Sequence, residues 1–350
     1  MKRIVDIVLT LSVLLPLQSC RDTDQCAGVV LELKNSYQET IPAEQLFSSV
    51  KIVELQNDSS LLLNSIGKTV CYENGIYLTD GTVICHYDYD GGLISSISHR
   101  GRGPGEYMGI MDFDVSDGIV YVLDRNKKFL RYNEDGSLIS ETAMTFFPAS
   151  FMIENDGIIM TRACQELGDK FIVLDKDKLT KLDSFFPIKK NELTWRHFMG
   201  QSNFFKYKGQ LLYHEPLNNN VYMIDSDTVR VKYALDFFGR NAPEPFFDAR
   251  YGSVLDIHKQ LVESDYCAGI PCFAENDDMI IITYRDGDFY RMLKYDKHSS
   301  ASVQFSSILF SEIERPVNIG DMSIQFYSET SMCLAVKGED DEERLIIVRL

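Results

Sequence analysis

The chain has 350 residues, of which 45% are apolar, and it carries 52 acidic side chains against 35 basic ones. The formal net charge of −17 argues against a nucleic-acid-binding protein and against electrostatic attachment to anionic lipid, because both need a basic surface. The apolar fraction is ample for a large folded core, and no low-complexity run indicates disorder.

Residues 1–19 have the features of a targeting segment. Lys2 and Arg3 precede a short apolar run from Ile7 to Leu17, and the sequence Leu-Gln-Ser-Cys then ends at Cys20. A small residue before a cysteine in this position resembles the lipobox of bacterial lipoproteins. The resemblance implies cleavage before Cys20 and attachment of lipid to that cysteine, since the apolar run is too short to remain as a membrane span. An ordinary signal peptide is the alternative.

The lipobox resemblance also implies a location. A lipid on Cys20 would anchor the mature chain in the cell envelope as an outer-membrane lipoprotein, either periplasmic or surface-exposed. Asp22 and Asp24 follow closely, and an acidic start of this kind is also seen in surface-exported lipoproteins of Bacteroides-like bacteria.

A glycine-rich stretch from His99 to Tyr107 separates two copies of one sequence unit. The eight residues that begin at Tyr87 match the eight that begin at Tyr132, which lies 45 residues later. Each copy contains short strands joined by tight Asn-Gly or Asp-Gly turns. A repeat of this length built from short strands is typical of a propeller blade.

Taken in chain order, these units predict an all-β protein, a six-bladed β-propeller of four-stranded antiparallel blades over residues 47–350. Blades one and two cover about 62–98 and 107–144, and more degenerate units follow at about 151–186, 204–235, 270–305 and 324–350. Five blades result if one degenerate unit is misassigned. Residues 20–46 form the anchor segment and an N-terminal strand, Val29–Leu33. We expect this strand to close the last blade, because such closure removes two exposed edges.

One segment departs from the β pattern. From Pro245 to Glu263 the apolar residues recur at spacings of three and four, which predicts a helix. The segment lies in the connector between blades four and five, and we expect it to pack across one face of the disc.

Three features carry a resemblance to a known family. They are the sequence Val53-Glu54-Leu55-Gln56 before the first blade, the Gly101–Tyr107 stretch between blades, and a second strand that ends in Asp followed by Tyr-x-x-Asp-Gly. Together with the lipobox they resemble the six-bladed β-propeller lipoproteins of Bacteroidetes, distant relatives of the NHL-repeat propellers. The resemblance is specific over residues 50–140. It implies the fold and an exported, anchored location, and it carries over no catalytic residue.

Connectors between blades line the mouth of the central channel, where loops from several blades converge on one concavity that suits a ligand. The first connector holds Arg100, Arg102, Glu106 and Tyr107, and its arginine forks could meet carboxylates or phosphates of a ligand. The alternative is structural: the glycines shape the crossing between blades, and Glu106 pairs with an arginine or caps nearby amides.

Two later connectors hold further candidates for ligand binding. Between blades three and four, Trp195 is the only tryptophan, and a ring beside Arg196 and His197 is the combination that sugar or peptide binding uses. Packing of this ring in the core is the alternative. The helical connector supplies four more residues that could close over the same mouth as a lid: Arg240, Glu244, Arg250 and Tyr251.

The sequence contains no Gly-x-Ser-x-Gly, His-Glu-x-x-His, Cys-x-x-Cys or phosphate-loop motif. No cofactor is predicted. A calcium or zinc ion in the central channel is the alternative, held by inner-strand carboxylates such as Asp112, Asp114 and Glu154, although those residues also fit solvated turns. Cys267 and Cys272 are the only local candidates for a disulfide.

These observations favour a lipid-anchored propeller that acts as a binding module for a glycan, a peptide or an envelope protein at its channel mouth. Two alternatives stay open: a metal-dependent hydrolase or lyase of the lactonase type, and a structural subunit of an outer-membrane complex. Fold alone does not choose among these functions. No nucleic-acid partner is expected.

Overall fold

The computed structural model describes residues 28–33, 37–56, 63–154, 157–163, 167–189, 203–215, 217–225, 227–337 and 343–350. Three N-terminal strands come first: β1 (Val29–Glu32), β2 (Tyr37–Pro42) and β3 (Ser49–Glu54). The strands that follow form six sheets, one after another along the chain.

Blades one to three each contain four consecutive antiparallel strands. Blade one consists of β4 (Lys68–Tyr72), β5 (Gly75–Thr79), β6 (Ile84–Tyr87) and β7 (Leu93–Ile97). Blade two consists of β8 (Ile110–Ser116), β9 (Ile119–Asp124), β10 (Lys128–Asn133) and β11 (Leu138–Ala143). Blade three consists of β12 (Pro148–Ile153), β13 (Gly157–Arg162), β14 (Asp169–Asp175) and β15 (Lys181–Pro187).

Blades four to six use the N-terminal strands as well as their own. Blade four contains β16 (Phe204–Tyr207), β17 (Gln210–His214), β18 (Asn220–Asp225) and β19 (Thr228–Asp236). Blade five contains β20 (Cys267–Glu275), β21 (Met279–Asp286), β22 (Phe289–Asp296) and β23 (Ser302–Leu309), with the short strand β24 (Val317–Asn318) against β23. Blade six contains β25 (Ser323–Ser328), β26 (Ser331–Lys337) and β27 (Glu343–Arg349), and its fourth strand is β3.

The six blades form a ring, so the prediction of an all-β, six-bladed propeller is confirmed. Neighbouring strands in a blade run in opposite directions. The connectors between blades therefore share one end of the ring with the loops between the second and third strands. We call this the connector end.

The prediction that Val29–Leu33 closes the last blade is wrong. Strand β1 instead adds in parallel to the outer strand of blade four, with Val29 opposite Tyr233. Strand β2 adds in parallel to the outer strand of blade five, and β3 pairs antiparallel with β27 to complete blade six. The physical reason is chain continuity: β3 directly precedes blade one, so it closes the ring through a short link, while the earlier strands cover two outer edges.

In blades one and two, an aspartate at the end of the second strand binds the backbone that leads into the same blade. Asp124 accepts hydrogen bonds from the backbone N–H groups of Met108 and Gly109, at 2.8 and 3.1 Å. Asp80 accepts from the N–H groups of Thr82 and of Asn64, which precedes blade one. The Asp at this position therefore fixes the incoming chain to the second strand.

Apolar side chains fill each interface between neighbouring blades. Six separate clusters of buried residues lie one to an interface, and a seventh lies beneath the helical connector. The cluster between blades four and five, for example, brings Phe205 and Leu212 against Phe273 and Ile282. Alternation along the strands puts these side chains on the two faces of each blade.

Polar contacts close to the inner strands join every pair of neighbouring blades. In ring order they are Lys68–Asp112 (2.6 Å), Asp112–Phe151 N–H (2.9 Å), Ser150–Asn203 (3.4 Å), His214–Ile270 carbonyl (2.5 Å), Cys272–Ile324 carbonyl (3.0 Å) and Ser323–Gly67 carbonyl (3.1 Å). Asp112 is fully buried and links three blades, because one carboxylate oxygen receives the Lys68 ammonium and the other the Phe151 N–H.

The predicted helix between blades four and five is present as two helices, α1 (Glu244–Asp248) and α2 (Val254–Glu263). Ser253 caps α2 by accepting a hydrogen bond from a backbone N–H of its first turn. Ile257 is fully buried and packs near Ala268 of blade five. Across the described ranges, the longest apolar helix falls short of what a bilayer crossing requires.

Replacing Asp112 by alanine is expected to lower the free energy of unfolding by about 3–5 kcal/mol, because the buried Lys68 ammonium loses its counter-charge. Asp90→Ala is the matched control, since it removes the exposed pair with Lys51 at 3.0 Å and is expected to cost at most about 1 kcal/mol. Urea denaturation measures both. Equal losses would contradict the assignment of Asp112 as the link between blades.

Candidate functional site

The glycine-rich connector between blades one and two is held by its own side chains. Tyr107 is fully buried, and its hydroxyl donates to the Ile97 carbonyl at 2.8 Å. The Glu106 carboxylate accepts the Gly103 N–H at 2.7 Å. These contacts match the structural alternative for Glu106 and Tyr107 and leave neither side chain aimed at a ligand.

The same connector lies against the outer strands of blade two. The Gly105 N–H donates to Glu141 of β11 at 2.6 Å, and the Lys128 ammonium of β10 pairs with Glu141 at 3.0 Å. These two contacts hold the pKa of Glu141 below its usual range. Gly105 has a φ of +71°, a backbone conformation that suits glycine.

The expectation that this connector lines the channel mouth is therefore wrong, because β10 and β11 are the outer two strands of their blade. Arg100 and Arg102 are exposed on the outer rim of the ring.

The candidates near the helical connector divide into a paired and an exposed set. The Arg240 guanidinium pairs with Asp265 at 2.6 Å and also with Asp286. Burial of Asp286 acts to raise the pKa of its carboxyl. Hydrogen bonds from Arg240 and Arg291 outweigh burial and hold that pKa below its ordinary value. The Tyr251 hydroxyl donates to the Phe246 carbonyl at 2.7 Å, so it fastens the connector to itself. Arg250 is exposed.

The predicted site residues do not converge. The connector with Arg100 and Arg102 lies between blades one and two, and the connector with Arg250 lies between blades four and five. In a ring of six blades these two places are opposite each other, so one small ligand cannot contact both. The predicted ligand-binding residues Trp195, Arg196 and His197 lie outside the described residues.

The inner-strand carboxylates are engaged by the protein itself. Both oxygens of Asp112 are used by Lys68 and Phe151, as described above, and Glu154 pairs with Lys206 at 2.8 Å. Asp114 accepts the Val115 N–H, and burial raises the pKa of this carboxyl above its usual value. Within the described ranges, no three His, Cys, Asp or Glu side chains are grouped so that they could hold a metal ion.

A cleft at the connector end, over blade six, has a volume of about 1230 Å³. It extends from Gly67 and Ser323, at the start of the inner strands of blades one and six, to the connector between blades five and six, residues 310–322. Its wall includes Ile66, Ile313, Val317, Met322 and Val336, with charged groups from Glu312, Glu314, Arg315, Asp321, Lys337, Glu343 and Arg344. We call it the blade-six cleft.

Glu343 is the unusual group in the blade-six cleft. It is opposite Lys337 in the pairing of β26 and β27, and its carboxylate receives a hydrogen bond from the Ile66 N–H. One of its oxygens, Oε1, is buried and has no hydrogen-bond partner among the described residues. Burial raises the pKa of Glu343 above its ordinary value against the influence of Lys337 and Ile66. A half-buried acid with a raised pKa in a cleft is a candidate for ligand contact.

Sequence reasoning missed Glu343 for a definable reason. The residue ends an acidic run in the loop before β27, and such a run is normally a solvated turn. The burial comes from packing against the segment before blade one, which is far away in the sequence.

The sequence matches the family model DUF4934, a domain of unknown function, over residues 28–341. The chain belongs to the DUF4934 family. The matched residues include all the strands of blades one to five, so the family is defined by the propeller. No curated protein matches the sequence.

One solved structure has a similar fold over nearly all of both chains. It is a protein from Bacteroides fragilis that was named for its expected export, with a TM-score of 0.73 at 17% identity, covering 92% of this chain and 99% of that one. The likeness shows the fold and supports the predicted link to six-bladed propellers of Bacteroidetes.

Two other solved structures are more distant from the DUF4934 chain. BamB from Moraxella catarrhalis has a TM-score of 0.46 at 8% identity, covering 86% of this chain and 98% of its own. The propeller domain of Cps50 from Myceliophteria thermophila has a TM-score of 0.46 at 10% identity, covering 83% and 98%.

Changing Glu343 to glutamine is expected to stabilise the fold at neutral pH. Its folded pKa is raised, so the folded state binds the proton more tightly than the unfolded state, and the ionised carboxylate costs stability as pH rises above about 4.5. The variant removes that cost and gains most at pH 8, while near pH 4 the two proteins converge. Urea denaturation at several pH values measures this.

The control is Glu312→Gln, an exposed carboxylate of the same cleft. The free energy of unfolding of the Glu312→Gln protein should equal that of the wild type at every pH. A Glu343→Gln protein that is less stable than wild type at pH 8 would contradict the description of this carboxylate as buried without a full set of partners.

Proposed function

We propose that this DUF4934 protein is an exported binding module that holds an extended segment of a peptide or partner protein in the blade-six cleft. The observation that carries the proposal is the combination of the cleft's volume with its lining. A volume of about 1230 Å³ is generous for a small molecule, since ligand sites commonly occupy about 300–1,000 Å³. It suits several residues of an extended chain.

The character of the walls favours a peptide over a glycan. Saccharides gain apolar contact from flat aromatic faces, while the apolar wall of this cleft is aliphatic, with Ile66, Ile313, Val317, Met322 and Val336. Aliphatic side chains of a peptide pack well against such a surface. Transfer of this apolar area from water would supply most of the affinity.

The charged groups suit a partner of mixed charge. The cleft carries negative charges on Glu312, Glu314 and Asp321 and a positive charge on Lys337. Such charges contribute more to specificity and association rate than to affinity.

Backbone contacts could add to these side-chain contacts. Strand β24 lines the cleft and has one strand neighbour, β23, in the described chain. A bound segment could add to the remaining edge of β24 as a further strand, a common mode of peptide recognition.

The remaining site residues are proposed as secondary contacts. Arg100 and Arg102 on one rim, and Arg250 on the opposite side, are exposed cations that could meet acidic groups of a large partner protein. Trp195, Arg196 and His197 keep their predicted role in ligand binding.

The proposed location is the cell envelope, with a lipid on Cys20 as the anchor in the outer membrane. The leader of residues 1–19 and the name of the Bacteroides fragilis relative support export. Strand β1 starts on the outer edge of blade four, so the tether would leave the ring at its circumference and leave the blade-six cleft open to a partner. The relation to NHL-repeat propellers stays a prediction.

The experiment uses the soluble form that lacks residues 1–20 and selects from a phage-displayed library of random twelve-residue peptides. Selected peptides are expected to lose affinity at least about tenfold with Ile313→Glu, because a charge would replace part of the aliphatic wall. The matched control is Leu182→Glu at an exposed position of blade three, which should bind like wild type. Thermal unfolding of both variants checks that they fold.

Three results would contradict the proposal. Peptides that bind both variants equally would place binding elsewhere on the ring. Loss of binding with Arg100→Glu or Arg102→Glu instead would point to the outer rim. Binding to a glycan array without any selected peptide would favour a sugar ligand.

A further inference from the structure

Two cysteines meet where the first and last blades of the ring touch. Cys71 lies on β4, the inner strand of blade one, and Cys333 lies on β26 in blade six. Cα atoms of these two strands approach within 8 Å of each other. Cys333 is almost fully buried, and Cys71 packs against the same apolar cluster. The two thiols are close enough to interact with each other.

The other described cysteines have different neighbours. The Cys267 thiol contacts Asp286, and the Cys272 thiol donates to the Ile324 carbonyl at 3.0 Å. These separate neighbours do not support a bond between the two candidates named from the sequence. Cys85 is on the third strand of blade one and is fully buried. All five described cysteines are free thiols, and among them Cys71 and Cys333 are the pair whose thiols interact.

We propose that Cys71 and Cys333 form a disulfide in the exported protein, which covalently joins the first blade to the last. This inference rests on the exported location in the proposed function, because disulfides persist in oxidising compartments. In the described structure the two thiols are the reduced form of that pair.

The chemistry needs an oxidant of the disulfide class, such as oxidised glutathione or a thiol–disulfide oxidoreductase. Cys71 is half-buried and can be reached, so its thiolate attacks the oxidant's disulfide, forms a mixed disulfide and releases one oxidant thiol. The buried Cys333 sulfur then attacks the Cys71 sulfur and releases the second oxidant thiol. Two protein thiols are oxidised, two oxidant thiols are formed, and the protons pass from the first pair to the second.

The bond would reinforce the point where the ring is closed. Blade six is completed by the N-terminal strand β3, so noncovalent pairing of β3 with β27 joins the two ends of the chain. A Cys71–Cys333 bond spans most of the sequence, and a cross-link over a long loop strongly restricts the unfolded chain.

The test is peptide mapping of the protein recovered from the envelope fraction, alkylated in denaturant without reductant and identified by mass spectrometry. The expected result is a Cys71–Cys333 cross-linked peptide, with Cys85 alkylated. A dithiol reductant should lower the Tm of wild type and of Cys85→Ser, while the Tm of Cys71→Ser should not respond. Alkylation of both Cys71 and Cys333 in the envelope pool would overturn the proposal.

A second measurement separates this inference from the proposed function. Reduced protein lacking residues 1–20 is incubated with oxidised glutathione and mapped in the same way. Formation of the Cys71–Cys333 bond supports the geometry even if fractionation finds the native protein in the cytoplasm, which would contradict export instead. Failure to form the bond in this reaction, with glutathione retained on Cys71, would overturn the inference whatever the location.

Discussion

The rest of the structure depends on one constraint, which is that six blades must meet at a common centre without leaving unpaired polar groups there. Apolar clusters between blades supply most of the buried area, but they are not directional. The Asp112 carboxylate is directional, because it binds Lys68 from the blade before it and the Phe151 N–H from the blade after it. Similar contacts continue around the ring to Ser323 and Gly67. Together they fix the inner strands that position the connector end.

The cleft arises where the repeat breaks down. Between blades one and two the connector keeps the glycine-rich sequence of the repeat, and its groups are used to fasten the chain to β11. Between blades five and six the connector has nearly the same length but lacks the glycine-rich sequence; it forms the short strand β24 and contributes much of the cleft wall. A regular connector thus serves stability, while an irregular one leaves concave surface for a ligand.

The sequence allowed the fold to be predicted where local patterns decide it. The 45-residue repeat and its Asp-Gly turns determine blades one and two, and the three- and four-residue spacing indicates the helical connector. The partner of Val29–Glu32 is not a local property, since any exposed strand edge would accept this short alternating segment. The candidate site was harder to predict for the same reason. Glu343 contacts the Ile66 N–H, and the two residues are too far apart in the sequence for a local pattern to reveal that contact.

The central claim is that the blade-six cleft is where a partner segment binds. Hydrogen–deuterium exchange of the protein, free and saturated with a peptide selected from the displayed library, tests it most directly. The account predicts slower exchange of backbone amides in residues 312–323 and 343–350, with the connectors at 98–109 and 237–266 unchanged. Slower exchange confined to either of those two connectors would contradict it.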